Sequence, residues 1–194
     1  GLAKMNMILH GVLTAEIAQG NTLSAPQFKG PDDKLQTFDF VVANPPFSTK
    51  SWMKGVDVGS DPYKRFEYGT PPPKNGDFAF LLHMLTSLKT TGKAGVVLPH
   101  GVLFRGNAEG DIRQELISRG FIKTVIGLPP NLFYGTGIPA AIVVLDKEGA
   151  DTRTDVFLVD ASGGFVKDGP KNRLRERDIH RIIDTVAKRV DVPG

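Results

Sequence analysis

The segment from Phe38 to Phe47 decides the fold, and it reads Phe-Asp-Phe-Val-Val-Ala-Asn-Pro-Pro-Phe. Its first six residues are rich in aromatic and β-branched side chains, which is typical of a strand. The strand must end at Asn44, because the prolines that follow cannot donate to a strand ladder. Ligands of open α/β sheets bind beyond the carboxyl ends of strands. The segment therefore predicts a functional loop, against the plainer alternative of a strand-ending turn.

A second proline pair serves as a comparison within the same chain. Leu128-Pro129-Pro130-Asn131 also follows a predicted strand. It lacks the order of acid, apolar residues, asparagine, two prolines and an aromatic residue. The first segment alone is therefore predicted to be catalytic.

The remaining sequence alternates helix and strand patterns. Apolar spacing predicts helices over residues 2–13, 77–89, 109–118 and 177–190. Strands are predicted around Ile17 and over residues 94–98, 122–128, 138–146 and 154–160. Gly92 is interpreted as the end of the second helix region. The alternation predicts an α/β fold with a mostly parallel sheet, and the last strands, which have no helix between them, predict an antiparallel hairpin at one edge.

Residues 48–76 are predicted to form a long loop, because they contain many glycines and prolines and little periodicity. Basic and aromatic residues interleave in this loop. This pattern favours contact with phosphates and displaced bases over a merely solvated surface. The residues predicted to contact DNA are Lys50, Trp52, Lys54, Lys64 and Arg65.

Composition excludes several classes of protein. The 194 residues include no cysteine, so neither a disulfide nor a cysteine-ligated metal is expected. The four histidines are scattered, and no metal site is predicted. No apolar run reaches 18 residues and no signal peptide is recognised, so the expectation is a cytoplasmic protein without a membrane partner. The net charge of +3 permits a polyanionic partner without requiring one.

The residue types of the Asn-Pro-Pro-Phe loop suit methyl transfer to an amine. The exocyclic amine of adenine is a poor nucleophile, because its lone pair is delocalised into the ring. Asn44 offers a side-chain oxygen and Pro45 a backbone carbonyl as acceptors for the amine hydrogens. Pro45 and Pro46 stiffen the loop, and Phe47 can stack on a base that has left the duplex.

This segment resembles the catalytic motif of amino-methyltransferases that use S-adenosylmethionine. Its final phenylalanine resembles the adenine-specific DNA enzymes, whereas glutamine methyltransferases that act on release factors more often have tyrosine there. Further stretches are similar to type I restriction–modification system modification subunits: Lys4–Gly11, Gly20–Leu23, Gly76–Phe80, Gly95–Leu103 and Asn131–Leu145. The resemblance implies a partial Rossmann-like class I methyltransferase fold. Residues 1–160 would be the C-terminal half of the catalytic domain, and residues 161–194 an extension with a basic amphipathic helix.

The resemblance also implies a cofactor and partners. S-adenosylmethionine would contact Asn21, Thr22, Leu23 and Asn44, although the family usually has aspartate at the position of Asn21. The glycine-rich cofactor turn of the family, an acid-x-x-x-Gly-x-Gly pattern, is absent from this sequence. The expected partners are double-stranded DNA and the specificity and restriction subunits of a type I complex. The expected reaction is site-specific N6-methylation of a flipped-out adenine, and the chain alone is expected to be inactive.

Two alternatives remain open at this point: a non-catalytic fragment that acts as an interaction module, and a glutamine methyltransferase that acts on protein. The family orders its strands 3-2-1-4-5-7-6, which would leave the strand at 38–43 at an exposed edge of this chain. An apolar edge strand is a pairing site. We therefore expect self-association or docking through this edge.

Overall fold

The computed structural model describes residues 1–190 as a sheet with helices and long connections. Its helices are α1 (Leu2–Leu9), α2 (Asp77–Thr86), α3 (Ala108–Ser118) and α4 (Glu176–Lys188). Its strands are β1 (Phe38–Ala43), β2 (Leu88–Pro99), β3 (Ile122–Gly127), β4 (Ala140–Asp146), β5 (Phe157–Asp160), β6 (Val166–Asp168) and β7 (Lys171–Arg173). Short 3-10 turns occupy Pro31–Asp33, His100–Leu103 and Ala150–Thr152. The last four residues of the predicted extension, 191–194, lie outside the described residues.

Five strands form one sheet in the order β1-β2-β4-β3-β5. Strand β1 pairs with β2, and β3 with β5, in parallel, whereas β4 runs antiparallel to both of its neighbours. The predicted α/β class with a mostly parallel sheet is confirmed. The predicted place of the antiparallel hairpin is wrong, because β4 lies inside the sheet and the edge strand β5 is parallel. The nearly uniform apolar sequence of β4 explains this position, since such a strand is stabilised by burial on both faces.

Strand β1 lies at the other edge of the sheet, as predicted. Its side chains alternate: Val41 and Ala43 pack against the core, whereas Phe40 is 75% exposed and Val42 is 83% exposed. The strand is therefore buried on one face only. Large apolar side chains stand in solvent on the other face and beside the unpaired backbone.

The core lies between the sheet and helices α2 and α3. Helix α2 contributes Leu81, Leu82 and Leu85, and strands β2 and β4 contribute residues such as Leu98 and Leu145. Helix α1 contributes no buried residue. It ends at Leu9 rather than at residue 13, and no strand forms around the exposed residue Ile17, so both predictions were wrong. These segments lack a partner in the described part of the chain against which they could bury their apolar side chains.

Gly92 lies inside strand β2 and does not end a helix. Helix α2 stops at Thr86, and β2 begins two residues later, which corrects the predicted helix over 77–89. A Cβ atom on Gly92 would lie 2.9 Å from the Phe38 carbonyl oxygen. Glycine is therefore required here by the close approach of β1 and β2, where the register of their pairing shifts. In the described residues, no helix is both long and apolar enough to cross a membrane.

Candidate active site

Three loops meet at the carboxyl ends of the parallel strands. They follow β1, β2 and β3, which share one direction in the sheet. The loop after β1 contains Asn44–Phe47, and the loop after β3 contains Phe133. The rings of Phe47 and Phe133 lie 6.2 Å apart at an interplanar angle of 76°, an edge-to-face contact. The two proline turns singled out in the sequence therefore belong to one site.

Asn44 leaves the sheet directly after β1 and is exposed, whereas Pro45 is buried. Within residues 1–190, no donor engages the Asn44 side-chain oxygen or the Pro45 carbonyl. The Pro46 carbonyl, in contrast, accepts a hydrogen bond from the Thr49 hydroxyl at 3.2 Å. The loop thus closes on itself beyond Pro46 and leaves two adjacent acceptors for a substrate amine.

A buried carboxylate anchors this loop from below. Asp77, at the start of α2, is 0% exposed and accepts a hydrogen bond from the Ser48 backbone N–H at 2.7 Å. Its other oxygen accepts from Arg105 at 2.5 Å, and Arg105 also donates to Glu109 at 2.5 Å. Ser48 has a φ of 50°, so this anchor holds an uncommon backbone conformation. Sequence reasoning missed Asp77, although an acid at the first residue of a strongly apolar helix is a usable signal.

The same network ties the loop after β1 to the loop after β2, which carries Arg105. Glu109 is buried, and burial raises its pKa above the ordinary value, although the hydrogen bond from Arg105 opposes this. Because Arg105 binds both carboxylates, it neutralises charge that would otherwise be unpaired beneath the site.

The predicted cofactor turn forms a tight structure of its own. The side-chain oxygen of Asn21 accepts hydrogen bonds from the N–H groups of Leu23 at 3.0 Å and Ser24 at 3.2 Å. Asn21 and Thr22 are exposed, whereas the Leu23 side chain is buried in the core. The predicted cofactor contact of Leu23 cannot involve its side chain, because this side chain is buried in the core. The oxygen of Asn21 is occupied by the turn, whereas its amide nitrogen makes no hydrogen bond within residues 1–190.

Arg65 lies inside the protein and is unavailable to DNA, which corrects its predicted role. It is 2% exposed and pairs with Asp61 at 2.6 Å. It also donates to the Leu23 carbonyl at 2.7 Å, and in this way it fastens the loop of residues 48–76 to the Asn21 turn. Burial, together with the charge of Arg65, lowers the pKa of neighbouring His83 to about 4. The Asp-x-x-x-Arg spacing, which suits an ion pair within one turn, was the overlooked signal.

Trp52 is also a core residue rather than a DNA contact. It is 2% exposed, packs against Phe66 with ring centroids 5.6 Å apart, and donates its indole N–H to the Pro72 carbonyl. Tryptophan and phenylalanine side chains have large apolar areas, so a loop that carries both gains stability when it buries them in the core. The other three predicted DNA contacts, all lysines, are exposed: Lys50, Lys54 and Lys64.

The mixed sheet and the Asn-Pro-Pro-Phe loop at its carboxyl edge define a Rossmann-like α/β chain with a polar, proline-stiffened site. The family described as N-6 DNA Methylase matches residues 1–194, and the chain belongs to this family. Its curated relatives include the MpnII methylase subunit of a type I restriction enzyme from Mycoplasma pneumoniae, with 35% identity over 94% of this chain and 35% of that protein. The HindI methylase subunit from Haemophilus influenzae is also 35% identical, over 95% of this chain and 40% of that protein.

A solved structure shows the same architecture. The type I restriction–modification system methyltransferase subunit from Streptococcus thermophilus is 40% identical, with a TM-score of 0.85 over 98% of this chain and 40% of that chain. The predicted methyltransferase fold and family are thereby confirmed. The chain spans only about a third to two fifths of the length of these relatives.

Proposed function

We propose that this chain is the target-base half of an adenine N6-methyltransferase, within the modification subunit of a type I restriction–modification system. The observation that supports this most directly is that no donor within residues 1–190 engages the Asn44 side-chain oxygen or the Pro45 carbonyl, on a loop that Asp77 anchors. The names of the relatives, all methylase subunits of type I enzymes, agree with DNA as the substrate rather than a protein glutamine.

The proposed mechanism uses the loop as a rigid acceptor. With the adenine out of the duplex, Asn44 Oδ1 and the Pro45 carbonyl accept the two amine hydrogens and so localise the nitrogen lone pair. Phe47 stacks on the base, and the edge-on ring of Phe133 limits how far Phe47 can turn. Because Pro45 and Pro46 fix the backbone, little conformational entropy is lost when the base arrives.

S-adenosylmethionine, when bound, supplies the methyl group that the amine nitrogen attacks. In this chain, Asn21 and Thr22 would contact it from one side and Asn44 from the other. The exposed amides of Asn21 and Asn44 fit a polar ligand. The cavity behind the Asn21 turn measures about 110 Å³ and reaches Phe38 at the far end of β1. Ligand sites span roughly 300–1,000 Å³, so cofactor binding is proposed to need further residues from a preceding segment.

The proposed partners follow from the same assignment. Lys50, Lys54 and Lys64 are exposed on the loop after the Asn-Pro-Pro-Phe motif and would meet phosphates of double-stranded DNA. The specificity and restriction subunits of a type I complex complete the proposed assembly, which would operate in the cytoplasm. The division into a catalytic part over residues 1–160 and an extension over residues 161–194 is part of this proposal.

The test is Asn44→Ala in a methylase subunit that contains this chain, assembled with its specificity subunit. Removal of one aimed polar group from a pre-organised site costs roughly 100- to 1,000-fold in rate. We expect a loss of this size in N6-methyladenine formed on unmethylated genomic DNA, measured by mass spectrometry of digested nucleosides. Asn131→Ala, in the other proline turn, is the matched control. Unchanged methylation by Asn44→Ala would refute the assignment, and methylated release factor would favour the glutamine alternative.

A second candidate function is that of an interaction module, which the exposed edge of β1 favours. Phe40 and Val42 project beside an unpaired strand backbone, and helix α1 contributes nothing to the core. These surfaces suit the amino-terminal half of a methyltransferase domain or a second copy of this chain. Calorimetric titration of this chain with S-adenosylmethionine separates the two functions, because tight binding by the chain alone would contradict the fragment hypothesis. Sedimentation of wild type and Val42→Lys measures self-association.

A further inference from the structure

The hairpin formed by β6 and β7 is too short and too polar to have been predicted from the sequence. Each strand has three residues, and the two pair in antiparallel register from Val166–Arg173 to Asp168–Lys171. The hairpin forms a separate two-stranded sheet beyond the main one. Three-residue strands do not persist in water without support, so contacts elsewhere must hold this hairpin in place.

Those contacts go to the loop after β3, at residues 128–139. The ammonium group of Lys171 donates to the Phe133 carbonyl at 2.7 Å and to the Thr136 carbonyl at 2.9 Å. A single cation thus closes the turn between these two residues. Hydrogen bonds from a charged donor are about twice as strong as neutral ones.

Asn172 adds a second attachment to the same loop. Its side-chain amide donates to the Pro130 carbonyl at 2.7 Å, and its backbone N–H donates to the Asn131 carbonyl at 3.0 Å. Asn172 is 6% exposed, so these bonds are shielded from water. Together, Lys171 and Asn172 hold the loop at four carbonyl groups.

Hydrogen bonds at Leu128 and Pro139 fix the two ends of the loop, and the Ile138 N–H donates to the Thr136 hydroxyl, but the segment around Phe133 has no such support beyond the hairpin in the described residues. Tyr134 is 92% exposed, and Gly135 has a φ of 80°, the left-handed conformation that glycine adopts freely. Phe133, in contrast, points towards the site and meets the Phe47 ring. The position of Phe133 therefore depends on the hairpin that binds its own carbonyl.

We propose that Lys171 and Asn172 are positioning residues for the target-base side of the active site. They hold residues 130–136 in shape, and through Phe133 they set the orientation of Phe47. The hairpin thus acts as a clasp that connects the C-terminal extension to the Asn-Pro-Pro-Phe loop. The catalytic part of this inference rests on the proposed function, whereas the clasp itself rests on the hydrogen bonds alone.

The experiment compares Lys171→Met with Lys167→Met in the full-length subunit. Both variants replace one lysine of the same hairpin with a side chain of similar length, but the Lys167 side chain is exposed and makes no hydrogen bond to the loop in the described residues. Hydrogen exchange of the amides in residues 128–139 is the first readout. We expect Lys171→Met to accelerate this exchange about tenfold or more, as loss of two charge-assisted hydrogen bonds implies, and Lys167→Met to leave it unchanged.

The second readout is the single-turnover rate of methyl transfer to DNA, together with the affinity for S-adenosylmethionine. We expect Lys171→Met to slow transfer about tenfold with unchanged cofactor affinity, because only the base side is loosened. Exchange equal to that of Lys167→Met would overturn the clasp. Faster exchange with an unchanged transfer rate would overturn the positioning role.

A second variant, Asn172→Ala, retains Lys171 and keeps the test decisive if Lys171→Met fails to fold. Asn172→Ala removes only the bond to the Pro130 carbonyl, and we expect a smaller acceleration of exchange confined to residues 128–132. If the wild-type subunit transfers no methyl group to DNA, the proposed function fails, and the exchange comparison still decides whether the clasp exists.

Discussion

Two proline pairs follow two parallel strands of this molecule, β1 and β3, and different parts of the structure anchor them. Pro45 and Pro129, the first proline of each pair, are both buried, and an aromatic residue follows shortly in both turns. The turn after β1 is anchored from the core, because Ser48 donates to fully buried Asp77. The turn after β3 is anchored from the periphery, by the β6–β7 hairpin.

The asparagine residues of the two turns, Asn44 and Asn131, differ in their hydrogen bonding. Asn44 precedes its prolines and lies at the strand end, and its side-chain amide has no hydrogen-bond partner among residues 1–190. Asn131 follows its prolines in the left-handed conformation, with its backbone carbonyl bound by Asn172 and its side-chain oxygen over Gly137. The order of asparagine and proline therefore separates a residue that offers acceptors from one that shapes a turn. Sequence order predicted a catalytic role for the first turn alone, and it did not reveal that Phe133 of the second turn contacts Phe47 of the first.

The largest expected effect tests the core anchor of the first turn. Asp77→Ala removes two hydrogen bonds to a buried carboxylate, from Ser48 and from Arg105, and bonds to charged groups contribute roughly 1.5–3 kcal/mol each, so we expect a cost of about 3–5 kcal/mol. We expect this loss in the free energy of unfolding, measured by denaturant titration. Asp39→Ala is the control, because Asp39 pairs with Lys89 on the surface and should contribute less than about 1 kcal/mol. Equal losses of unfolding free energy in the two variants would mean that Asp77 anchors the first turn no more strongly than a surface ion pair does.

A smaller effect tests whether the two turns act together. Base stacking contributes about 1–3 kcal/mol per base, so Phe47→Ala should reduce kcat/KM for DNA roughly 5- to 150-fold. Phe133→Ala should reduce it less, because the Phe133 ring meets Phe47 edge-on. In a double-mutant cycle we expect a coupling free energy of about 0.5–1.5 kcal/mol. Additive effects of the two substitutions would show that the rings work independently.

The smallest effect concerns charge, which also differs between the turns. Lysines follow the first turn, whereas residues 131–139 of the second contain neither lysine nor arginine. We expect each of Lys50→Gln, Lys54→Gln and Lys64→Gln to reduce the slope of log binding constant against log salt by about 1, as loss of one phosphate contact implies. Lys89→Gln, at the start of β2, should leave the slope unchanged. If none of the three substitutions changed this salt slope, these lysines would not contact the DNA phosphates.

Local patterns in the sequence predicted several elements of the sheet well. Strand β1 has the predicted bounds, and β3 and α3 differ by one residue at one end. Each of these elements carries its own periodicity of apolar residues, so neighbouring residues suffice to define it. Gly92 shows the limit, because the close approach that demands glycine comes from Phe38, 54 residues earlier in the chain.

Long-range partners explain the remaining errors. Arg65 is buried because Asp61 and the distant Leu23 carbonyl satisfy it, and Asn172 is buried because it binds Pro130. A basic residue in a glycine-rich loop has the same charge and loop context whether it pairs internally or faces a nucleic acid, and for Arg65 only the spacing to Asp61 pointed to the internal pair. The hairpin at 166–173 has no apolar alternation at all, so its existence depends on the loop that it binds.

The burial of Trp52 has an optical consequence. The chain contains a single tryptophan, packed against Phe66 and bonded to Pro72. Indole emission shifts to longer wavelength when water reaches the ring. The tryptophan fluorescence of this protein therefore reports, without a label, on the segment of residues 48–76. A change that exposes Trp52 to water shifts its emission spectrum. Movement of the β6–β7 hairpin alone leaves that spectrum unchanged.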